Sequence, residues 1–172
     1  PWSASGFGTK FTDPSTLPLN SCYSVAFSPV GDAIAVGNIA SPCVSVYPWS
    51  GSGFGTKFAD PGTLPTGRVE DIAFSPSGDA IALGHVTSPY VTAYPWSASG
   101  FGTKFTNPST LPSNTGYGVA FSPYGDAIAV CHSDSPFVTA YPWSGSGFGA
   151  KFTNPSTLPA NTARDVTFTE VF

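Results

Sequence analysis

The residues able to do chemistry in this chain recur at one interval. Asp32, Asp79 and Asp126 stand 47 residues apart, each just after a Gly and just before Ala-Ile-Ala. General acid–base work needs carboxylates or imidazoles gathered at one site with shifted pKa values. An Asp that follows Gly at a fixed interval reads instead as the turn residue of a hairpin. His85 and His132 are also 47 apart, and Asn38 holds the same place one interval earlier. Two imidazoles in separate copies, without Cys or carboxylate support, do not make a metal site. Cys22, Cys43 and Cys131 fall at three different positions of the interval, which predicts neither a disulfide framework nor a zinc site. Serines are plentiful, but no G-x-S-x-G elbow and no His–Asp pair is present to activate one. The Ser-Gly-Phe-Gly fragments lie between expected strands rather than ahead of a helix, so they do not cradle phosphate. The acidic spacing of an EF-hand is missing. Neither a catalytic centre, nor a metal, nor a cofactor is expected.

Two other sets of residues suggest binding. The first is aromatic: Trp49, Trp96 and Trp143, with Phe54, Phe101 and Phe148, recur in a Gly/Ser-rich turn that also holds Trp2 and Phe7. Flat apolar faces among Ser and Gly could stack sugar rings, or could pack between units and pin the turn. The second set is defined by disagreement between copies. Asn20, Tyr23, Arg68, Glu70, Tyr117 and Arg164 occupy one variable segment, and Asn38, His85, His132 and Asp134 occupy the other. Loops on a rigid scaffold are where recognition is usually built, so this set is the candidate binding surface.

The elements that carry these residues follow from the interval itself. A repeat of 47 residues lies in the range of propellers and solenoids. Only 9% of the 172 residues are charged, against roughly 25% in ordinary soluble domains. Hydrophobic residues make up 41%, aromatic residues 15%, with 19 Gly and 18 Pro. Disorder needs low hydrophobicity and high net charge, so the composition predicts a rigid, turn-rich β protein. Net charge is −4 and each copy carries one Lys at the same place, so nucleic acid is not expected as a partner. No run approaches the roughly 20 apolar residues that insert into a bilayer, and no signal-peptide pattern is visible.

Each copy reads as four short strands, A to D. Strand A covers 24–28 and ends at Pro29, B covers 32–37, C covers 43–47 and stops at Pro48, and D covers 56–59 after the Gly/Ser turn. Gly or Pro interrupts every window long enough for a helix. The expected fold is all-β, a β-propeller of 47-residue four-stranded antiparallel blades at about 24–59, 71–106 and 118–153. A β-trefoil, also threefold, is the structural rival.

The run Val25-Ala26-Phe27-Ser28-Pro29, then Gly31-Asp32-Ala33-Ile34-Ala35-Val36, then Val44 to Tyr47, resembles the inner strands of WD-repeat and YVTN-type blades. The resemblance covers the whole chain and implies a propeller that binds rather than catalyses. The Gly-His and Trp-Asp dipeptides of true WD repeats are absent, with Tyr47-Pro48 where Trp-Asp would stand. The near-identity of the copies also resembles amplified repeats in phage and marine viral sequences, implying a virion-associated or extracellular setting.

Segments 1–12 and 165–172 read as a leading D strand and a trailing A strand around three full blades, all in one domain over 1–172. Relative to four repeats, 16 residues equivalent to 32–47 are missing. Three wedge-shaped blades do not close a ring, so either protomers associate to complete it or the chain belongs to a longer array, and a homo-oligomer is expected. In an antiparallel blade the D–A and B–C connections emerge at one end, which gathers the variable residues on one face of the disc. That face is expected to bind a protein or a glycan. The alternative is a lectin with one sugar site per blade at the Trp/Phe turns.

Overall fold

The computed structural model describes residues 2–3 and 6–169, without the ring of Trp2. Parts of both expected end segments, residues 1, 4, 5 and 170–172, lie outside the described residues.

The described chain is all β. A two-stranded ladder of β1 (Trp2–Ser3) and β2 (Gly6–Phe7) precedes three four-stranded sheets. The first sheet is β3 (Cys22–Phe27), β4 (Ala33–Asn38), β5 (Val44–Ser50) and β6 (Gly53–Phe54). The second is β7 (Val69–Phe74), β8 (Ala80–His85), β9 (Val91–Ser97) and β10 (Gly100–Phe101). The third is β11 (Gly116–Phe121), β12 (Ala127–His132), β13 (Val138–Ser144) and β14 (Gly147–Phe148). Every neighbour is antiparallel and sequential, so each sheet is a simple meander. Separate stacked meanders are propeller blades and exclude the trefoil.

The hairpin between the first two strands of each blade is set by Ser and Asp. The Ser28 hydroxyl donates to Asp32 Oδ1 at 2.6 Å and accepts the amides of Asp32 and Ala33 at 3.1 and 3.0 Å. Gly31 turns the chain at a positive φ of 74° that a side chain would resist. Ser75–Asp79 and Ser122–Asp126 repeat the arrangement at 2.7 and 2.6 Å. The recurring aspartates are therefore turn residues.

The third and fourth strands differ from expectation. The third strand does not stop at proline: β5 runs through Pro48 to Ser50, because Pro48 lies opposite Ala33 while the Trp49 amide bonds Asp32 O at 2.7 Å. The missing proline N–H leaves no gap in that ladder. The fourth strand is not 56–59 but the two-residue β6, inside the expected turn. Trp49 pairs with Phe54 and Ser50 with Gly53, after which Gly55 donates to Pro48 O. Beyond it only the Phe58 amide returns, to Val46 O at 2.9 Å, as its ring leaves for the next blade.

Blades pack face to face. Ala33, Ala35, Val44 and Val46 of the first meet Val69, Ile72, Ile81, Leu83, Tyr94 and Trp96 of the second. Ala80, Ala82, Val91 and Ala93 meet Val119, Phe121, Ile128, Val130, Tyr141 and Trp143 in the same way. A small-residue face against a large-residue face lets neighbouring sheets interdigitate closely. The buried Tyr94 hydroxyl donates to Thr63 O at 2.7 Å, which ties the connection from the preceding blade to this one. Tyr47 and Tyr141 do likewise to Thr16 O and Thr110 O.

Residues 163–169 do not form the expected trailing strand. Residues 163–165 lie against the third blade, with the Ala163 amide 3.3 Å from His132 O and Asp165 Cα beside Gly118, and 163–169 pair with no strand among the described residues.

Candidate functional site

Backbone and hydroxyl contacts fasten the two variable segments together at one end of the disc. The amides of Ile39 and Val86 donate to Ser21 O and Arg68 O, each at 3.1 Å. Thr66 and Ser113 hydroxyls reach Ser88 O and Ser135 O at 2.8 and 2.9 Å, and Asn114 Nδ2 reaches Asp134 Oδ2 at 3.1 Å. The second segment itself is a tight loop closed by a residue at positive φ: Cys43 at 65°, Tyr90 and Phe137 at 68°.

Arg and Tyr carry the exposed chemistry here. The Arg68 guanidinium lies over the Tyr23 ring, 4.6 Å from its centroid, and Arg68 Nε donates to Glu70 Oε1 at 2.8 Å. That hydrogen bond raises the Arg68 pKa further, against a smaller opposing effect of burial. Arg164 repeats the stack over Tyr117 at 4.5 Å, with no ion pair among the described residues. A cation over an aromatic face contributes about 0.5–1 kcal/mol at an exposed site and pre-orients both groups. Asp134 and Arg164 are exposed and Tyr23 is 46% exposed. Asn20 is exposed as well, but its Oδ1 accepts the Ser21 amide at 2.8 Å, so it shapes the bend.

Three candidates leave this surface. Asn38, His85 and His132 are fully buried, because each ends the second strand of its blade instead of opening a loop. His85 Nε2 shares a hydrogen bond with Thr92 Oγ1 at 2.9 Å, and His132 Nε2 with Thr139 Oγ1 at 2.8 Å. Burial drives the His85 pKa down to about 4 and lowers that of His132. Nδ1 of both rings lacks a hydrogen bond of standard geometry, although His85 lies near the Thr87 backbone. These are neutral core imidazoles, closed to a ligand. In the first blade the same two places hold Asn38 and the shorter Ser45, both buried, and neither amide atom of Asn38 has a hydrogen-bond partner.

The aromatic turns pack. Trp96 is 7% exposed and meets Phe58, Phe74 and Phe101 edge to face at 5.1, 5.6 and 5.1 Å. Trp143 is equally buried among Phe105, Phe121 and Phe148, and Trp49 meets Phe11, Phe27 and Phe54. No Trp96 or Trp143 face is open to a sugar. The outer edges of Phe54, Phe101 and Phe148 stay half-buried, and Phe101 borders an open groove of about 350 Å³ with Thr63 and Lys104.

Asp71 escaped the sequence reading. Its Oδ1 accepts the Ser24 hydroxyl and its Oδ2 the Val119 amide, both at 2.9 Å, so one carboxylate joins three blades. Burial raises its pKa, with the hydrogen bonds opposing. The available signal was a carboxylate where the copies before and after hold Ser24 and Gly118. Among the described residues no three His, Cys, Asp or Glu groups gather as a metal site.

No family model and no curated protein matches the chain. Solved structures do resemble it. The WD40 repeats of RRP9 align with a TM-score of 0.58 at 16% identity, over 79% of this chain and 39% of that one. U3-55K aligns with a TM-score of 0.59 at 15% identity, over 83% and 42%. Hydrazine synthase of Kuenenia stuttgartiensis aligns with a TM-score of 0.63 at 13% identity, over 93% and 42%. The chain thus folds as a WD-repeat-like β-propeller and spans less than half the length of each of these structures. WD40 repeats and a synthase both appear among them, so the likeness speaks for fold alone.

Proposed function

We propose that this chain is a non-enzymatic binding scaffold that takes a protein partner on the end of the disc carrying its variable segments. The observation behind the reading is the pair of Arg-over-Tyr stacks, Arg68 on Tyr23 and Arg164 on Tyr117, among copies that are otherwise nearly identical. Tyr and Arg dominate the energetics of protein interfaces, and a stacked pair loses little conformational freedom on binding. The partner chemistry that fits is an extended segment with a carboxylate for Arg164 and an apolar group for the Tyr117 face.

A glycan is the second reading, favoured by the groove between Thr63, Phe101 and Lys104. A displayed peptide library and a glycan array, each followed by variants, separate the two. Peptides that weaken at least about tenfold on Tyr117→Ala and are indifferent to Lys104→Ala support the protein reading. Glycan signal lost on Lys104→Ala or Phe101→Ala, with Tyr117→Ala silent, replaces it.

A further inference from the structure

One side-chain position ties successive blades around the axis. It is held by Ser24, Asp71, Gly118 and Asp165. At this position the side chain of one blade accepts a backbone amide from the next: Ser24 Oγ takes the Ile72 amide at 3.2 Å, and Asp71 Oδ2 takes the Val119 amide at 2.9 Å. Gly118 interrupts the series. Asp165 Cα packs so close that a Cβ on Gly118 would meet it at 3.0 Å, and the Val166 amide turns to Asp165's own Oδ1 at 2.8 Å. Asp165 itself is exposed, with no following blade among the described residues to hold.

The first blade shows the matching vacancy in its surroundings. Val25, the counterpart of Ile72 and Val119, is 61% exposed where they are 5% and 3%. Phe27 is 52% exposed, and Cys22, Val25 and Val36 border an open hollow of about 220 Å³. The outer half of the same face is already covered, by Phe11 against Trp49 and by Thr16 O on the Tyr47 hydroxyl. What stays open is the inner strip along β3 at Val25 and Phe27, the kind of surface an extended segment can cover. Residues 163–169 are such a segment, with its first residues against the third blade and no ladder partner among the described residues.

We infer that a second copy of this chain seats its first blade on that segment, with Asp165 accepting the second copy's Val25 amide. The contact repeats the first-strand part of an interface the chain already makes twice within itself, at Ser24–Ile72 and Asp71–Val119. Two copies bring together six four-stranded sheets, within the roughly four to eight blades of closed propellers. The apolar strip excludes water, and the buried carboxylate–amide bond sets the register.

Light scattering across a concentration series tests this. The chain should approach twice 17.7 kDa. Val25→Asp should raise the dissociation constant at least about a hundredfold, and Asp165→Ala about tenfold, since it removes one hydrogen bond to a charged group. Val30→Asp, on an 80% exposed turn residue away from the seam, should change nothing. Unchanged far-UV circular dichroism keeps a folding defect from imitating the result. A folded single chain at every concentration overturns the inference, as does a dimer indifferent to Val25→Asp or a ladder of ever larger species.

Discussion

The first and third blades are near copies, yet they live in different surroundings. Val119 and Phe121 are 3% and 9% exposed, while Val25 and Phe27 at the same places are 61% and 52% exposed. The ladders are the same in both, down to the shift between Cys22 and Ser24 that recurs between Gly116 and Gly118. Strand pairing is therefore a property of the repeat, whereas burial is a property of the neighbour. The outer halves of the two blades do not differ in this way, since Tyr47 and Tyr141 are both fully buried.

The largest expected effect breaks the comparison at that inner strip. Val119→Asp puts an unpaired charge into a closed interface and should cost about 3–5 kcal/mol, a large fraction of the roughly 5–15 kcal/mol that holds a domain folded. Val25→Asp, measured as a monomer by urea denaturation, should stay within about 0.5 kcal/mol of the parent. Equal losses would mean that the first blade is covered after all.

The next effect separates the blades by pH. His85 has its folded pKa lowered to about 4, below the unfolded value of about 6.5. The unfolded chain therefore takes up the proton first. Stability is full above about pH 6.5 and falls toward pH 4, by up to about 3 kcal/mol from His85. His132 acts in the same direction. The raised Asp71 pKa acts oppositely, adding stability as pH falls through its titration. His85→Gln should flatten the upper part of the denaturation-against-pH curve, while Asn38→Gln in the first blade should leave its shape alone.

A smaller effect would make the first blade resemble the others. Asn38→His with Ser45→Thr replaces two unpartnered amide atoms by the bond seen at His85–Thr92, and should stabilise by about 1 kcal/mol in thermal unfolding. The smallest sharpens the outer half. Tyr47→Phe and Tyr141→Phe should each cost about 1 kcal/mol, and equally, because each removes one 2.7 Å bond from a covered site.

Much of the fold was legible in the sequence, because the Ser28–Asp32 turn and the alternating apolar strands are local. The path through Pro48 was not, since a proline inside a strand is tolerated only when the partner's pairing is known. The candidate surface was half legible. Arg68 meets Tyr23 and Glu70, and Arg164 meets Tyr117, but Asn38, His85 and His132 vary at a buried pair instead. Variation marks tolerance, and a core position with a compensating partner tolerates change as a loop does.

By itself the sequence determined the period, the strand order and the turn chemistry of this propeller, because these depend on residues a few places apart. Only the tertiary structure decided which aromatics are walls and which histidines are core. It alone showed that Asp71 joins three blades and that Asp165 is left facing outward. Those outcomes depend on which sheet face lies against which, over distances of 47 residues and more, and no local pattern carries that information.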